Sequence, residues 1–164
     1  MREPMYWVPS VVFLLHVMEE FPRFPAWASR HFGHTSRPYF VYSHIPLIGA
    51  DLAISFFAST GPAGSIAAFL ATGAQWVLVT NGLFHLTTTF LFREYSPGVV
   101  TGTFLFFPAS AYFFLRTWRE GLLDPSQLAW AIALGTLAGA AVIASLWLHM
   151  DLDWRLQRRP ASRS

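Results

Sequence analysis

Long apolar segments with almost no charge constrain this chain more than any other feature. Inside a bilayer every backbone polar group needs a partner within the protein, so such segments must form helices. Five segments have this character: 6–21, 38–59, 63–92, 99–118 and 126–149. Only 12% of the 164 residues are charged, against roughly 25% in soluble domains. We therefore predict an all-α integral membrane bundle of about five transmembrane helices.

The connections between these segments are short and polar. The longest, 21–38, holds three arginines and three prolines, which excludes a further span. Within it, residues 25–32 predict a short interfacial helix with Trp27 at the level of the lipid headgroups. Gly135 and Gly139 in the last segment predict a close helix crossing. We expect residues 1–154 to form one transmembrane domain and residues 155–164 a basic, disordered cytoplasmic tail.

The charges indicate an orientation and exclude some functions. All 11 basic residues are arginine, and the five segments place eight of them on one side. Positive charge concentrates on the cytoplasmic side, so we predict the N-terminus outside and the C-terminus inside the cell. The net charge of +2 is dispersed along the chain, which speaks against a nucleic-acid partner. The chain has no cysteine, so thiolate chemistry is excluded. The oligomeric state stays open.

Three histidines from three predicted helices lie at one depth. His16, His44 and His85 are each seven or eight residues from an arginine at the predicted cytoplasmic boundary. At 1.5 Å per residue, each imidazole is roughly 10–12 Å inside the membrane. Ionisable groups are costly there and usually mark a functional site. Alternatively, His44 could hydrogen-bond a backbone carbonyl that Pro46 leaves free.

Carboxylates and other polar groups lie near the depth of the histidines. Glu19 and Glu20 lie one helical turn after His16 and flank its face. Asn81 is four residues before His85, so the two share a face. Asp51 lies deeper, either as a titrating group or as a partner of His85. Hydroxyl groups of Tyr95 and Thr101 follow in and after the next connection.

These motifs resemble those of a known family. The matching stretches are His16-Val17-Met18-Glu19-Glu20 with Phe21-Pro22 and Pro25-Ala26-Trp27, then Asn81-Gly82-Leu83-Phe84-His85, then Tyr95-Ser96-Pro97-Gly98 with Thr101. Together they resemble a bacterial family of small integral membrane proteins named for its HXXEE signature. The resemblance covers roughly residues 7 to 115 and implies a location in the bacterial inner membrane. It implies no assigned biochemical function.

The residue types favour a metal-dependent membrane enzyme. Two histidines and a carboxylate form a familiar catalytic zinc set with one open position, and they also suit non-haem iron. The substrate would be lipid-like or a small hydrophobic molecule from the cytoplasmic leaflet, and the reaction hydrolysis, transfer or isomerisation. The predicted metal ligands are His16, Glu20 and His85; the predicted catalytic residues are Glu19, Glu20, Asn81, Tyr95 and Thr101; His44 and Asp51 are secondary candidates.

Two other functions remain open at this point. A carboxylate and a histidine in a low-dielectric pocket can shuttle a proton without a metal, as in an acid–base isomerase. Alternatively, Asp51, His44 and Glu20 could form the relay of a proton-coupled transporter or channel subunit. The chain shows no internal repeat, which speaks against the common transporter folds.

Overall fold

The computed structural model describes the backbone of residues 3–157 and the side chains of residues 3–146. Within that range the chain is helical, without strands, which confirms the predicted all-α bundle. A 3₁₀ turn, Pro4–Trp7, leads into six helices: α1 (Val8–Glu20), α2 (Phe24–His31), α3 (Arg37–Thr60), α4 (Ile66–Phe92), α5 (Val99–Arg119) and α6 (Pro125–Gln157). Of the tail predicted at 155–164, residues 158–164 lie outside the described residues.

In the described part of the chain, four helices are long and apolar enough to cross a membrane. They are Arg37–Thr60, Ile66–Phe92, Val99–Arg119 and Pro125–Leu146. The first predicted segment forms the 13-residue helix α1, whereas a straight span needs about 20 residues. The predicted count of five spans is therefore not confirmed.

Local sequence signals explain where the longest helices begin and end. The hydroxyl groups of Ser36 and Ser65 accept hydrogen bonds from the backbone N–H groups of the third residues of α3 and α4, each at 3.2 Å. Serine is a preferred residue at this capping position. At the other end of α4, Arg93 adopts a left-handed conformation with φ of 51°, a common way for a helix to stop.

Helix α4 is the centre of the bundle, because α3, α5 and α6 all pack along it. Glycines allow α6 to come close. A Cβ atom added to Gly139 would lie 1.9 Å from Thr80 Oγ1, and one added to Gly135 would lie 2.6 Å from a backbone oxygen of α4. The close crossing predicted from these small residues is confirmed. Glycines also lie between α4 and α5. Gly82 of α4 faces Gly102 of α5, where a π-helical turn begins.

Trp27 is buried inside the protein. Its side chain is only 1% exposed, and its predicted depth at the headgroup level stays a prediction. Helix α2 folds back over the end of the bundle and buries Trp27 among aromatic rings: Phe24, Phe32, Phe84 and Phe92. The prolines and arginines around α2 gave the segment an interfacial composition, but the packing of its rings decided the burial. This aromatic cluster covers one side of His85.

Candidate metal site

The three predicted metal ligands meet in the core. His16 and Glu20 lie one turn apart on α1, and His85 comes from α4; they are 1%, 3% and 0% exposed. Glu20 Oε1 is 3.5 Å from His16 Nε2 and 3.1 Å from His85 Nε2. One ligand atom from each residue lies within 4.8 Å of the other two. This buried group could hold a metal ion.

The spacing in the sequence explains why the side chains converge. Val12, His16 and Glu20 form the buried stripe of α1, and residues four apart share one face of a helix. On α4, Gly82 and His85 lie on the face turned to α1 and α5. Because two apolar helices pack along these stripes, their ionisable side chains must be buried together.

The hydrogen bonds of His16 fix its tautomer. Thr101 donates its hydroxyl hydrogen to Glu19 Oε2 at 2.6 Å. The same hydroxyl oxygen lies 2.7 Å from His16 Nδ1, so it must accept a hydrogen bond from Nδ1–H. A neutral imidazole with its hydrogen on Nδ1 carries a lone pair on Nε2. In its neutral form His16 therefore turns the Nε2 lone pair, the atom that could bind a cation, toward the Glu20 carboxylate.

His85 is held in a similar way. Its Nδ1 is 2.9 Å from Ser96 Oγ. The Nε2 atoms of both His16 and His85 are buried and make no well-aligned hydrogen bond among the described residues; their polar neighbour is Glu20 Oε1, at 3.5 and 3.1 Å. A buried polar atom without a well-made hydrogen bond costs roughly 1–3 kcal/mol and calls for an explanation. Two such nitrogens beside one carboxylate form a donor set suited to a cation.

The loop before α5 packs against the imidazole rings of His16 and His85. Gly98 has φ of 109°, a conformation that side chains disfavour. A Cβ atom at Gly98 would lie 2.6 Å from His16 Cε1 and 2.8 Å from His85 Nε2. Glycine is thus required both by the backbone and by the two rings. Sequence reasoning gave Gly98 and Ser96 no role in the site; their position inside the motif at 95–98 was the available signal.

Glu19 has a different environment from its neighbour Glu20. It accepts hydrogen bonds from the hydroxyl groups of Tyr95 and Thr101, each at 2.6 Å. It also accepts three from backbone N–H groups at the start of α5, those of Gly98, Val100 and Thr101. A carboxylate is favoured at the positive end of a helix. These contacts give Glu19 a positioning role, and its predicted role as a proton carrier stays a prediction.

Tyr95 lies apart from the metal ligands. This predicted catalytic residue lines a separate surface hollow of about 330 Å³ together with Arg23 and Arg30. Burial, followed by the nearby Glu19 carboxylate, raises the pKa of Tyr95 to about 12. The phenol is therefore a hydrogen-bond donor to Glu19 at neutral pH.

His44, a secondary candidate, also faces Glu20. Its Nε2 lies 3.6 Å from Glu20 Oε2. Its Nδ1 is 2.7 Å from the carbonyl oxygen of Phe40, so Nδ1 must be the donor there. We had considered a bond to a carbonyl freed by Pro46. Proline at 46 removes the helical donor for the carbonyl of residue 42, so the observed partner is a different one.

Two adjoining cavities open beside this group. The larger, about 210 Å³, is lined by His16, Glu20, His44, Asn81 and Asp51 among mainly apolar side chains of α1, α3, α4 and α6. The smaller, about 160 Å³, shares Glu20, His44 and Asn81 with it. The Oδ1 atom of Asn81 is buried and has no hydrogen-bond partner within the described range. The structure thus brings Asn81, His44 and Asp51 to one space next to Glu20.

Comparison with known proteins identifies the family of the chain. The model of a family described as "Protein of unknown function with HXXEE motif" matches residues 7–113. No curated protein and no solved structure matches. The matched range contains His16, Glu19, Glu20, His85 and Gly98, and it ends before α6. The chain belongs to the HXXEE family of proteins of unknown function.

Proposed function

We propose that this protein is a metal-dependent membrane enzyme that acts on a lipid-like substrate. Its metal ligands are His16, Glu20 and His85, and the metal is zinc or ferrous iron. One observation carries the proposal: two histidines turn buried Nε2 atoms toward one carboxylate oxygen, at 3.5 and 3.1 Å, and neither nitrogen makes a well-aligned hydrogen bond among the described residues. A divalent cation would satisfy both nitrogens and the carboxylate at once.

The donor set favours catalysis over a purely structural role. Structural zinc sites use four protein ligands, whereas catalytic sites use three and leave a position open. Ferrous iron is held by the same two histidines and one carboxylate in many oxygen-using enzymes. When bound, the metal supplies Lewis-acid chemistry to an oxygen atom of water or substrate.

The side chains behind the ligands support this proposal. Metal-binding histidines usually donate their second ring N–H to an oxygen, which fixes the ring. Thr101 and Glu19 form such a chain behind His16, and Ser96 contacts the second ring nitrogen of His85. Asn81, beside the larger cavity, offers an amide group to an oxygen or hydroxyl of the substrate. Hydrolysis, transfer and isomerisation all fit this arrangement.

The substrate would come from the membrane. The larger cavity has apolar walls between helices that are apolar enough to span a bilayer. With the orientation that the arginines predict, N-terminus outside and C-terminus inside, the site lies toward the cytoplasmic leaflet of a bacterial inner membrane. Reporter fusions at Gly61 and at the C-terminus should report opposite sides; the same side for both would reject this topology.

A proton-coupled transporter or channel subunit is the second candidate. The observation behind it is that Asp51, His44 and Glu20 line one cavity, as a proton relay would. An acid–base isomerase without metal would use the same His16–Glu20 pair. Metal content separates both of these from the metalloenzyme.

The first test is elemental analysis of the full chain purified in detergent, after resupply of zinc or ferrous iron. We expect about one metal per chain in the wild type and in His31→Ala, a matched control that removes a histidine outside the site. His85→Ala should contain almost none. A wild-type protein with far less than one metal per chain would reject the proposal.

The second test asks for catalysis. Metal-loaded protein is incubated with a bacterial lipid extract, and mass spectrometry follows which lipids disappear and which products form. We expect conversion by the wild type and by His31→Ala, and none by Glu20→Gln. Stoichiometric metal without any lipid conversion would support the metal site and contradict the proposed enzymatic activity.

A further inference from the structure

We infer that the paired cavities bind an uncharged single-chain amphiphile that ends in a hydroxyl group, for which a long-chain alcohol is the simplest example. This inference names the substrate class of the site and rests on the proposed function. The hydroxyl would lie between His44 and Asn81, where the two cavities meet beside Glu20. The apolar chain would lie against α3 and α4.

The first argument is the route from the membrane. Helices α3 and α6 both pack along α4, yet they make few contacts with each other in the described part of the chain. Both cavities lie in that gap, with Leu47 of α3 and Val142 of α6 on their walls. These two side chains are 44% and 43% exposed. A molecule dissolved in the bilayer can therefore enter the two cavities directly through this gap.

The second argument is size and shape. The cavities measure about 210 and 160 Å³, each below the roughly 300–1,000 Å³ typical of drug-sized ligand pockets. The walls of the larger cavity are mainly apolar, and the smaller cavity adds the polar side chains of Tyr39 and Ser43. A space of this size suits one slender chain.

The third argument is the hydrogen-bonding character of the junction. His44 donates its Nδ1 hydrogen to the Phe40 carbonyl oxygen, so the neutral ring presents Nε2 as an acceptor. The ring is stacked on Phe40 with centroids 4.0 Å apart, which holds that orientation. Asn81 Oδ1 is a second acceptor that has no partner among the described residues. Acceptors of this kind select a ligand that donates a hydrogen bond.

The fourth argument is charge. Glu20 and Asp51 line the larger cavity, and no arginine of the described residues lines either one. Recognition of carboxylate or phosphate headgroups normally uses arginine or lysine. An anionic headgroup would find no basic side chain and would meet the carboxylate of Asp51, which is not a proposed metal ligand. The uncharged hydroxyl avoids that repulsion and still pairs with His44.

Photo-crosslinking of the full, metal-loaded chain in detergent tests the inference. The probe is a long-chain alcohol with a diazirine in its chain, and peptide mapping should find the label on the wall residues of α3 and α4. Three competitors differ only at the head: 1-dodecanol, its methyl ether and dodecanoate. We expect 1-dodecanol to compete about tenfold better than the ether, because the ether leaves a buried acceptor without a hydrogen-bond donor. A tenfold difference in affinity corresponds to about 1.4 kcal/mol, which is within the cost of such an unpaired group.

Variants show whether the head and the cavity are responsible. His44→Ala should remove the preference for 1-dodecanol over the ether, while His31→Ala should keep it. Ala74→Leu and Val142→Phe fill the cavity from opposite walls, and each should abolish labelling while metal content stays at the wild-type level. Dodecanoate competing as well as 1-dodecanol, or labelling that survives both filling variants, would overturn the inference. The proposed function is tested separately, because wild-type protein that binds no metal would contradict it.

Discussion

Two clusters in this protein bring a glutamate together with histidine, and they solve the same electrostatic problem differently. At the surface, Glu94 pairs with Arg30 and lies 3.0 Å from His31 Nε2. In the core, Glu20 faces His16 and His85. The surface cluster has solvent and an arginine to balance its carboxylate. The buried one has neither within the described residues.

The difference teaches what the buried cluster requires. Around Glu94, Arg30 donates a hydrogen bond to one carboxylate oxygen and His31 Nε2 contacts the other. Around Glu20, the histidines use Nδ1 for other partners and turn Nε2 inward. These nitrogens face the buried carboxylate without a well-aligned hydrogen bond, and a buried carboxylate is expensive without a compensating charge. Under the proposed function a metal ion supplies that charge, and each prediction below tests one side of this comparison.

Replacing the carboxylate itself should give the largest effect. Glu20→Gln keeps the size of the side chain and removes its charge, so metal affinity should fall more than about 100-fold, beyond the roughly 10–100-fold typical of outer partners. Glu94→Gln, the matched change at the surface, should leave metal affinity unchanged. Competition with a chromophoric chelator measures both. Equal metal affinity in the two variants would mean that Glu20 is not a ligand.

Gly98→Ala tests the close approach of the loop to both imidazoles. Its Cβ would overlap His16 and His85, so we expect a loss of about 2 kcal/mol or more in stability, together with weaker metal binding. Gly121→Ala is the matched control, because Gly121 has φ of 61° but open space around it. Thermal unfolding and metal content should separate the two. Similar behaviour of both variants would place the rings elsewhere.

Thr101→Val tests the chain from Glu19 to His16. The substitution keeps the shape but removes the hydroxyl that accepts from His16 Nδ1. We expect metal affinity to drop about 10–100-fold, as for other outer partners, and Thr101→Ser to restore it. Thr103→Val on the same helix is the control. If Thr101→Val binds metal normally, the tautomer of His16 is set by another group.

The smallest effect concerns pH and the surface cluster. His31, and then Arg30, lower the pKa of Glu94 from 4.5. A lowered pKa in the folded state adds stability above the unfolded pKa, and that stability is lost as the pH falls through the folded value. Below pH 4.5 the wild type should therefore lose slightly more thermal stability than Glu94→Gln. Parallel curves for the two proteins would show that the ion pair contributes nothing.

The sequence supported much of this site because it is built on helical spacing. His16 and Glu20 are four residues apart, so any helix through them places both on one face. His85 could be matched to them because arginines near the ends of the apolar segments gave a common depth. The bundle class followed from hydropathy alone, since apolar segments of this length leave few alternatives.

Other features depended on packing that no spacing encodes. Glu19 and Glu20 are equally acidic neighbours, and only the position of α5 decided that Glu19 would cap a helix while Glu20 meets the histidines. Trp27 looked interfacial by composition, yet α2 folds back and buries it. The length of α1, which is short for a span, could not settle the number of membrane crossings.

The sequence by itself determined a helical membrane-type bundle, its family, and the three side chains that could bind a metal. These properties depend on hydropathy and on local helical geometry, which are short-range. Only the tertiary structure decided which nitrogen each histidine presents, why residue 98 must be glycine, and where a cavity opens beside Glu20. These depend on contacts such as His16 with Thr101, 85 residues away in the chain, and such contacts exist only once distant segments have packed.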